Sequence, residues 1–252
     1  MKRAIHLILL ISLALISSSC ATVPVKPPIT PAKEIYPQTT MPVLRQDVFH
    51  IVAPGETLWR IAKMYNVPIK DISFANNLKT ETLGKGQRLL VPKAAPIIPV
   101  IPLYPSKKWK YIIIHHSATD EGSSLYFDRY HLRRGWEGIG YHFVIDNGSK
   151  GKQDGQIEVS PRWLKQKNGA HCNADNMNKR SIGICLVGNF NTEFVSTKQL
   201  DALVYLTDKL RKYYKIPFNR IMGHGQVRGA KTECPGKKFP WKGFKSRLMA
   251  IE

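Results

Sequence analysis

Apolar residues in the second half of the chain are spaced as buried strands alternating with amphipathic helices. Short runs rich in β-branched and aromatic residues, typical of strands, occur at 111–117, 140–145, 181–188 and 221–223. A helix is predicted at 125–134. A longer helix with a leucine-rich face follows Ser196 and Gln199, which form a capping-box pattern. The pattern predicts an α/β domain over residues 108–252, with a mixed central β-sheet flanked by helices.

A smaller region, residues 48–92, has its own pattern. A weakly alternating strand at 48–52 is followed by a turn at Pro54 and Gly55 and by a helix at 58–65 that Thr57 can cap. A second helix is predicted near 69–76 and a closing strand at 87–92. The order is strand, helix, helix, strand, in about 45 residues, which is small for an independent core.

Two proline-rich segments separate these regions. Residues 20–47 lack helical or strand periodicity and predict an extended tether. Residues 93–107 form a second linker, in which a proline recurs at every third position from Pro96 to Pro105. This spacing favours polyproline II and predicts a spacer that holds its flanking units apart.

The first residues have the pattern of a secretory signal. Lys2 and Arg3 precede an apolar run, and a serine-rich stretch then leads to Cys20. We predict a signal peptide at 1–19. The stretch also resembles a bacterial lipoprotein cleavage site, which implies a lipid anchor on Cys20 at the membrane. Ordinary cleavage, giving a soluble secreted or periplasmic protein, is the alternative.

Both alternatives export the chain, and export changes the meaning of its charge. The formal net charge is +20. Outside the cytoplasm, nucleic acid is excluded as the expected partner, and anionic cell-envelope polymers and lipid headgroups are favoured. The sequence does not indicate an oligomeric state.

Three residues predict a metal site. His115 and His224 each follow an apolar strand-like run directly, so both can project at the same end of the sheet, and Cys234 lies in a loop before Pro235 and Gly236. Two imidazoles and a thiolate with one open position form a catalytic rather than a structural zinc set.

Two segments of the chain resemble known protein families. The segment from Val52 to Pro92, with its PGETLW, NN and GQRLLVP motifs, resembles a LysM domain, which implies binding of glycans that contain N-acetylglucosamine. The segments YIIIHHSAT, GIGYHFVID, NGAHC, SIGICLVGNF, GHGQV and TECPG resemble zinc N-acetylmuramoyl-L-alanine amidases, the superfamily of peptidoglycan recognition proteins and phage-type amidase lysozymes. This second match spans about 108–241.

The amidase resemblance implies roles for individual residues. His115, His224 and Cys234 would bind Zn²⁺, with His115 rather than His116 as the ligand; Glu233 is the alternative to Cys234. Tyr141 would lie in the active site, and His171 matches a substrate-cleft histidine. Thr232 occupies a position held by threonine in recognition proteins and by a catalytic lysine in phage-type enzymes, for which Lys231 is a possible substitute.

The implied activity is hydrolysis of the amide between N-acetylmuramic acid and L-alanine by zinc-activated water, with peptidoglycan glycan strands and stem peptides as partners. The rivals are a non-catalytic peptidoglycan receptor, which loss of the cysteine would mark, and a zinc peptidase that cuts within the stem peptide. Cys172 and Cys185 could form a disulfide or be buried separately.

Overall fold

A computed structural model describes residues 44–251 of the chain. The predicted signal peptide, Cys20 and most of the first tether lie outside these residues. Within residues 44–251, no helix has the length and apolar character that crossing a membrane requires.

The small region folds in the predicted order of strand, helix, helix and strand. Its elements are β1 (Gln46–Ile51), α1 (Leu58–Tyr65), α2 (Ile69–Ala75) and β2 (Arg88–Ala94). The two strands pair antiparallel. Thr57 caps α1, since its hydroxyl accepts from the backbone N–H of Arg60 at 3.3 Å. Strand β1 begins within the segment predicted as tether.

The large region is the predicted mixed α/β layer structure. Its strands lie in the order β5-β4-β6-β3-β7, and only β5 runs antiparallel to its neighbour. The elements are β3 (Tyr111–His116), α3 (Ser124–Arg133), β4 (Phe143–Asn147), β5 (Asp154–Val159), α4 (Pro161–Leu164), α5 (Met177–Arg180), β6 (Ser181–Leu186), α6 (Thr197–Tyr214), β7 (Ile221–Gly223) and α7 (Trp241–Ala250).

The two faces of β3 have different neighbours. Ile112 and Ile114 belong to the main core, which also holds the leucines of α6. Ile113 packs on the opposite face, in a smaller cluster with Met177 and Val227. Side chains alternate along a strand, so His115 shares the face of Ile113. The site therefore lies on the side of the sheet away from α6.

Strand β4 begins at Phe143 rather than at the predicted Gly140. The residues before it form a loop in which Gly138 has φ +85°, and the backbone N–H of Gly140 donates to Nδ1 of His131 at 3.1 Å. A strand predicted from apolar residues alone overlooks this loop, because Ile139 and Tyr141 are packed but not paired in the ladder.

The proline-rich linker does not hold the two regions apart, so that prediction was wrong. Ala95 N–H and Ile98 N–H donate to the carbonyls of Tyr65 and Met64, each at 2.9 Å. Ile101 is buried in the core of the large region. Apolar residues between the prolines therefore fix the linker against both regions.

A buried lysine joins the two regions directly. Lys152 Nζ donates to the carbonyl of Ile51 in β1 at 2.8 Å and pairs with Glu158 at 2.7 Å. Both charged side chains are at most 2% exposed. A buried charge is tolerated only when it is paired, so this contact depends on both members.

We expect Glu56→Gln to destabilise the protein in a pH-dependent way. Burial raises the pKa of Glu56, but His50, which bonds to it at 2.8 Å, together with Lys152 and Arg60, lowers that pKa from 4.5 to about 2. The ionised form therefore stabilises the fold above about pH 4.5, and this contribution is lost as the pH falls toward 2. The loss at pH 7 should be about 2–3 kcal/mol.

Urea unfolding of the full chain at several pH values measures this effect. Exposed Glu81→Gln is the matched control and should change stability little. A Glu56→Gln deficit that stays constant from pH 7 to pH 3 would contradict the ion-pair explanation.

Candidate metal centre

Three side chains from distant parts of the chain converge on one point. His115 lies on β3, His224 directly follows β7, and Cys234 lies in the next loop. One ligand atom from each can be chosen so that all lie within 4.8 Å of one another. The Cys234 Sγ lies 3.6 Å from His115 Nδ1. The sequence therefore identified the three residues that the fold brings together.

Backbone contacts hold the cysteine loop in place. The N–H of Gly225 donates to the carbonyl of Cys234 at 2.7 Å, and the N–H of Cys234 donates to the Thr232 hydroxyl at 3.2 Å. A Cβ at position 225 would lie 2.4 Å from the carbonyl oxygen of Thr232. Glycine is needed there because the two backbone segments approach so closely.

The electrostatics of the cluster suit metal binding. Burial lowers the pKa of His115, with further lowering from the other histidines, and burial lowers the pKa of His224. Both rings are therefore neutral at pH 7 and can donate a lone pair. Burial raises the pKa of Cys234 to about 12, although the N–H of His116 donates to its sulfur and favours the thiolate. Two neutral imidazoles and one thiol that would lose its proton on metal binding are a donor set that fits Zn²⁺ with one position open.

Tyr141 lies beside the cluster, as predicted from the resemblance. Its ring centroid is 5.3 Å from that of His115. Burial, nearby thiol groups and a hydrogen bond with Cys185 raise the pKa of Tyr141 well above 10. Its hydroxyl therefore stays protonated at neutral pH and remains a hydrogen-bond donor.

His171 contacts the proposed ligand His115 on the side away from Cys234. Its Nδ1 lies 3.0 Å from Nε2 of His115. The ring fits over Gly183 of β6, where a Cβ would lie 2.3 Å from His171 Cδ2. Metal-binding histidines usually donate their second N–H to an acceptor, which fixes the ring tautomer, and the Nδ1 atom of His171 is in position to be that acceptor. The predicted role of His171 in the substrate cleft stays a prediction; its contact with His115 is an additional finding.

The remaining predicted residues lie around the cluster. His116 points to the other face, where its Nδ1 accepts from the N–H of Phe190 at 3.1 Å. Glu233 is exposed and pairs with Lys237 at 2.9 Å, so the fold directs it away from the cluster. Thr232 and Lys231 are both exposed on the loop that carries Cys234.

Cys185 is a site residue that the sequence left undecided. Cys172 and Cys185 are both free buried thiols, so the disulfide alternative does not hold in this structure. Cys185 is paired in register with His115 across β3 and β6. The alternation of β6, with Ile182 and Ile184 on the core face, could have placed Cys185 on the face of the site.

Comparisons with known proteins identify two families in this chain. The sequence profile described as N-acetylmuramoyl-L-alanine amidase matches residues 105–237, and that of the LysM domain matches residues 50–92. The chain belongs to the N-acetylmuramoyl-L-alanine amidase family and carries a LysM domain in addition. Both resemblances seen in the sequence are thereby confirmed.

Individual relatives are similar to this chain over about half of its length or more. Peptidoglycan-recognition protein 2 of Holotrichia diomphalia is 34% identical over 156 residues, which are 56% of this chain and 77% of that protein. Peptidoglycan-recognition protein LB of Drosophila melanogaster is 36% identical over 140 residues, 51% of this chain and 55% of that protein. The solved N-acetylmuramoyl-L-alanine amidase LysC from Clostridium intestinale URNW is 33% identical, with a TM-score of 0.47, and the match covers 60% of this chain and 95% of that chain.

We expect removal of the His171 ring to weaken metal binding without unfolding the protein. His171→Leu loses the acceptor for His115 Nε2–H and should lower zinc affinity by roughly 10- to 100-fold. His171→Gln keeps an acceptor oxygen and should lose less. Competition with a chromophoric chelator measures both affinities. Equal zinc affinity for wild type and His171→Leu would contradict the orienting role.

Proposed function

We propose that this protein is a zinc-dependent peptidoglycan hydrolase that cleaves the amide bond between N-acetylmuramic acid and L-alanine. The observation that carries the proposal is the convergence of His115, His224 and Cys234, with ligand atoms within 4.8 Å, beside the hydroxyl-bearing ring of Tyr141. Membership of the amidase family supports the same reaction.

The metal would be held by His115, His224 and Cys234. When bound, Zn²⁺ would supply Lewis-acid polarisation of the scissile carbonyl and a water molecule of lowered pKa. The cysteine is the residue whose absence would favour a non-catalytic receptor, and it is present. The fold buries its sulfur next to His115, where a thiolate needs a cation to be stable.

Tyr141 and the loop before Cys234 would act on the substrate. The protonated hydroxyl of Tyr141 can donate to the oxygen that becomes negative as the amide is attacked. Thr232 holds the Cys234 backbone and leaves an exposed side chain at the site. Lys231 on the same exposed loop is the alternative assistant.

The LysM domain would bind glycan strands and place the catalytic domain on its substrate. Its profile match supports attachment to peptidoglycan. The signal pattern supports export to the cell envelope, and the serine-rich stretch before Cys20 supports a lipid anchor in the membrane.

The reaction is tested by mass spectrometry of purified peptidoglycan after digestion with the full chain. We expect free stem peptides that begin at L-alanine, and their release should need zinc. Internally cut stem peptides would instead indicate a peptidase, and an unchanged digest a receptor.

Two variants of neighbouring residues test the ligand assignment in the same assay. Cys234→Ser should lower both zinc content and product release by at least about 100-fold, since the loss of a ligand exceeds the effect of its outer partners. Glu233→Gln removes an exposed carboxylate that pairs with Lys237 and should act like wild type. The reverse result would make Glu233 the ligand.

The lipid anchor is tested by metabolic labelling in a bacterial host. An alkyne-bearing fatty acid should label the full chain, and Cys20→Ala should abolish that label. Labelled Cys20→Ala protein, or unlabelled wild type that is secreted, would contradict the anchor.

A further inference from the structure

Helix α3 lies between the LysM domain and Tyr141, and each of its two sides makes polar contacts. On the LysM side, Lys85 Nζ pairs with Asp128 of α3 at 3.0 Å. The neighbouring Gly86 packs on the same helix, since a Cβ there would lie 3.4 Å from Leu125 Cδ2. The turn at 84–87 therefore rests on the middle of α3.

The first turn of α3 is linked to the LysM domain through a second route. Glu158 accepts from the N–H of Ser124, the first residue of α3, at 2.5 Å. The same carboxylate pairs with Lys152, which donates to the Ile51 carbonyl of the LysM domain. A carboxylate at a helix N-terminus is favourable, and here it also belongs to the contact between the domains.

The other side of α3 holds the loop that leads to Tyr141. Asp128, whose Oδ2 faces Lys85, accepts with Oδ1 from the N–H of Ile139 at 3.1 Å. His131 of the same helix accepts from the N–H of Gly140 at 3.1 Å. Ile139 and Gly140, the two residues held by α3, directly precede Tyr141 in the chain.

The ring of Tyr141 also packs on α3 itself. Its centroid lies 6.3 Å from that of Phe127 and 5.9 Å from that of His131. On its other side the ring contacts His115. The position of α3 therefore determines where Tyr141 stands relative to the metal ligands.

We propose that the docked LysM domain positions the catalytic machinery as well as binding glycan: through Lys85, Lys152 and α3 it holds Tyr141 in its working orientation. Asp128 is the positioning residue that both sides share. The turnover test of this proposal rests on the proposed function. The proposal also extends that function, because the LysM domain would then affect the turnover of substrates that are too small to reach a glycan site on that domain.

The test compares kcat and KM of full-length variants on a soluble muramyl monosaccharide peptide. Lys85→Glu places a carboxylate opposite Asp128 and should lower kcat about fivefold while KM stays within about twofold. Lys85→Arg keeps the pair and should match wild type. Lys70→Glu makes the same charge change at an exposed position of α2 and should also match wild type.

A second variant breaks the other route by removing both members of the buried Lys152–Glu158 pair. Lys152→Met with Glu158→Gln removes both charges, and the glutamine oxygen can still accept from the N–H of Ser124. This double variant should lower kcat at least about tenfold on the same monosaccharide peptide, with zinc content unchanged.

A spectroscopic readout separates this proposal from the reaction itself. Fluorotyrosine placed at position 141 should give a shifted or broadened ¹⁹F signal in Lys85→Glu and the double variant, but not in Lys70→Glu. Wild type inactive on both the soluble peptide and purified peptidoglycan would overturn the proposed function, while the ¹⁹F comparison would still decide the positioning role.

Two outcomes would overturn the positioning role. The first is an unchanged kcat and an unchanged ¹⁹F signal in both interface variants, even when their binding to insoluble peptidoglycan falls. The LysM domain would then serve as an anchor alone. Equal losses in Lys70→Glu and Lys85→Glu would likewise overturn it, because they would reflect net charge.

Discussion

Along β3, successive side chains point to opposite faces of the sheet, and the arrangement of the site depends on that alternation. His115 faces Cys234, and His116 faces Phe190 on the other side. Register with β6 then places Cys185 next to His115. Because three buried isoleucines anchor the strand, neither histidine can exchange places with the other without turning the apolar set toward the wrong face.

The parts of the site that follow from local pattern could be predicted. His115 and His224 end apolar runs, and parallel strands bring such ends to one edge. The contact between His171 and His115 could not be predicted in this way, because it joins residues that are 56 positions apart. It also requires a glycine at position 183 of β6, since the His171 ring occupies the space that a side chain there would fill. Strand β5 was not predicted either: its polar Gln156 and Glu158 are buried, and their partners are distant in sequence.

The linker shows how composition can mislead. Regular prolines describe the preferred backbone conformation, but they do not show which surfaces the intervening apolar residues will meet. Ile101 is buried in the large domain, and the backbone N–H of Ile98 donates to the carbonyl of Met64 in α1. The same holds for Lys152: in sequence it is one of many basic residues, yet within residues 44–251 it is one of the few basic residues that are buried, because Glu158 and a LysM carbonyl contact it there. Tertiary burial gives these residues roles that local patterns do not encode.

The fixed linker has a consequence for where the proposed enzyme would cleave along peptidoglycan. A long flexible linker would let a catalytic domain reach many bonds around each point where the binding domain is attached, so the positions of cleavage would vary. Here backbone hydrogen bonds at Ala95 and Ile98 and the Lys152 contact remove that freedom. The two domains are then held at a fixed separation, so the bond that the catalytic domain would cut would lie at a set distance from the sugar that the LysM domain would bind. The repeat of the glycan strand, rather than the reach of a tether, would set the spacing of cleavage.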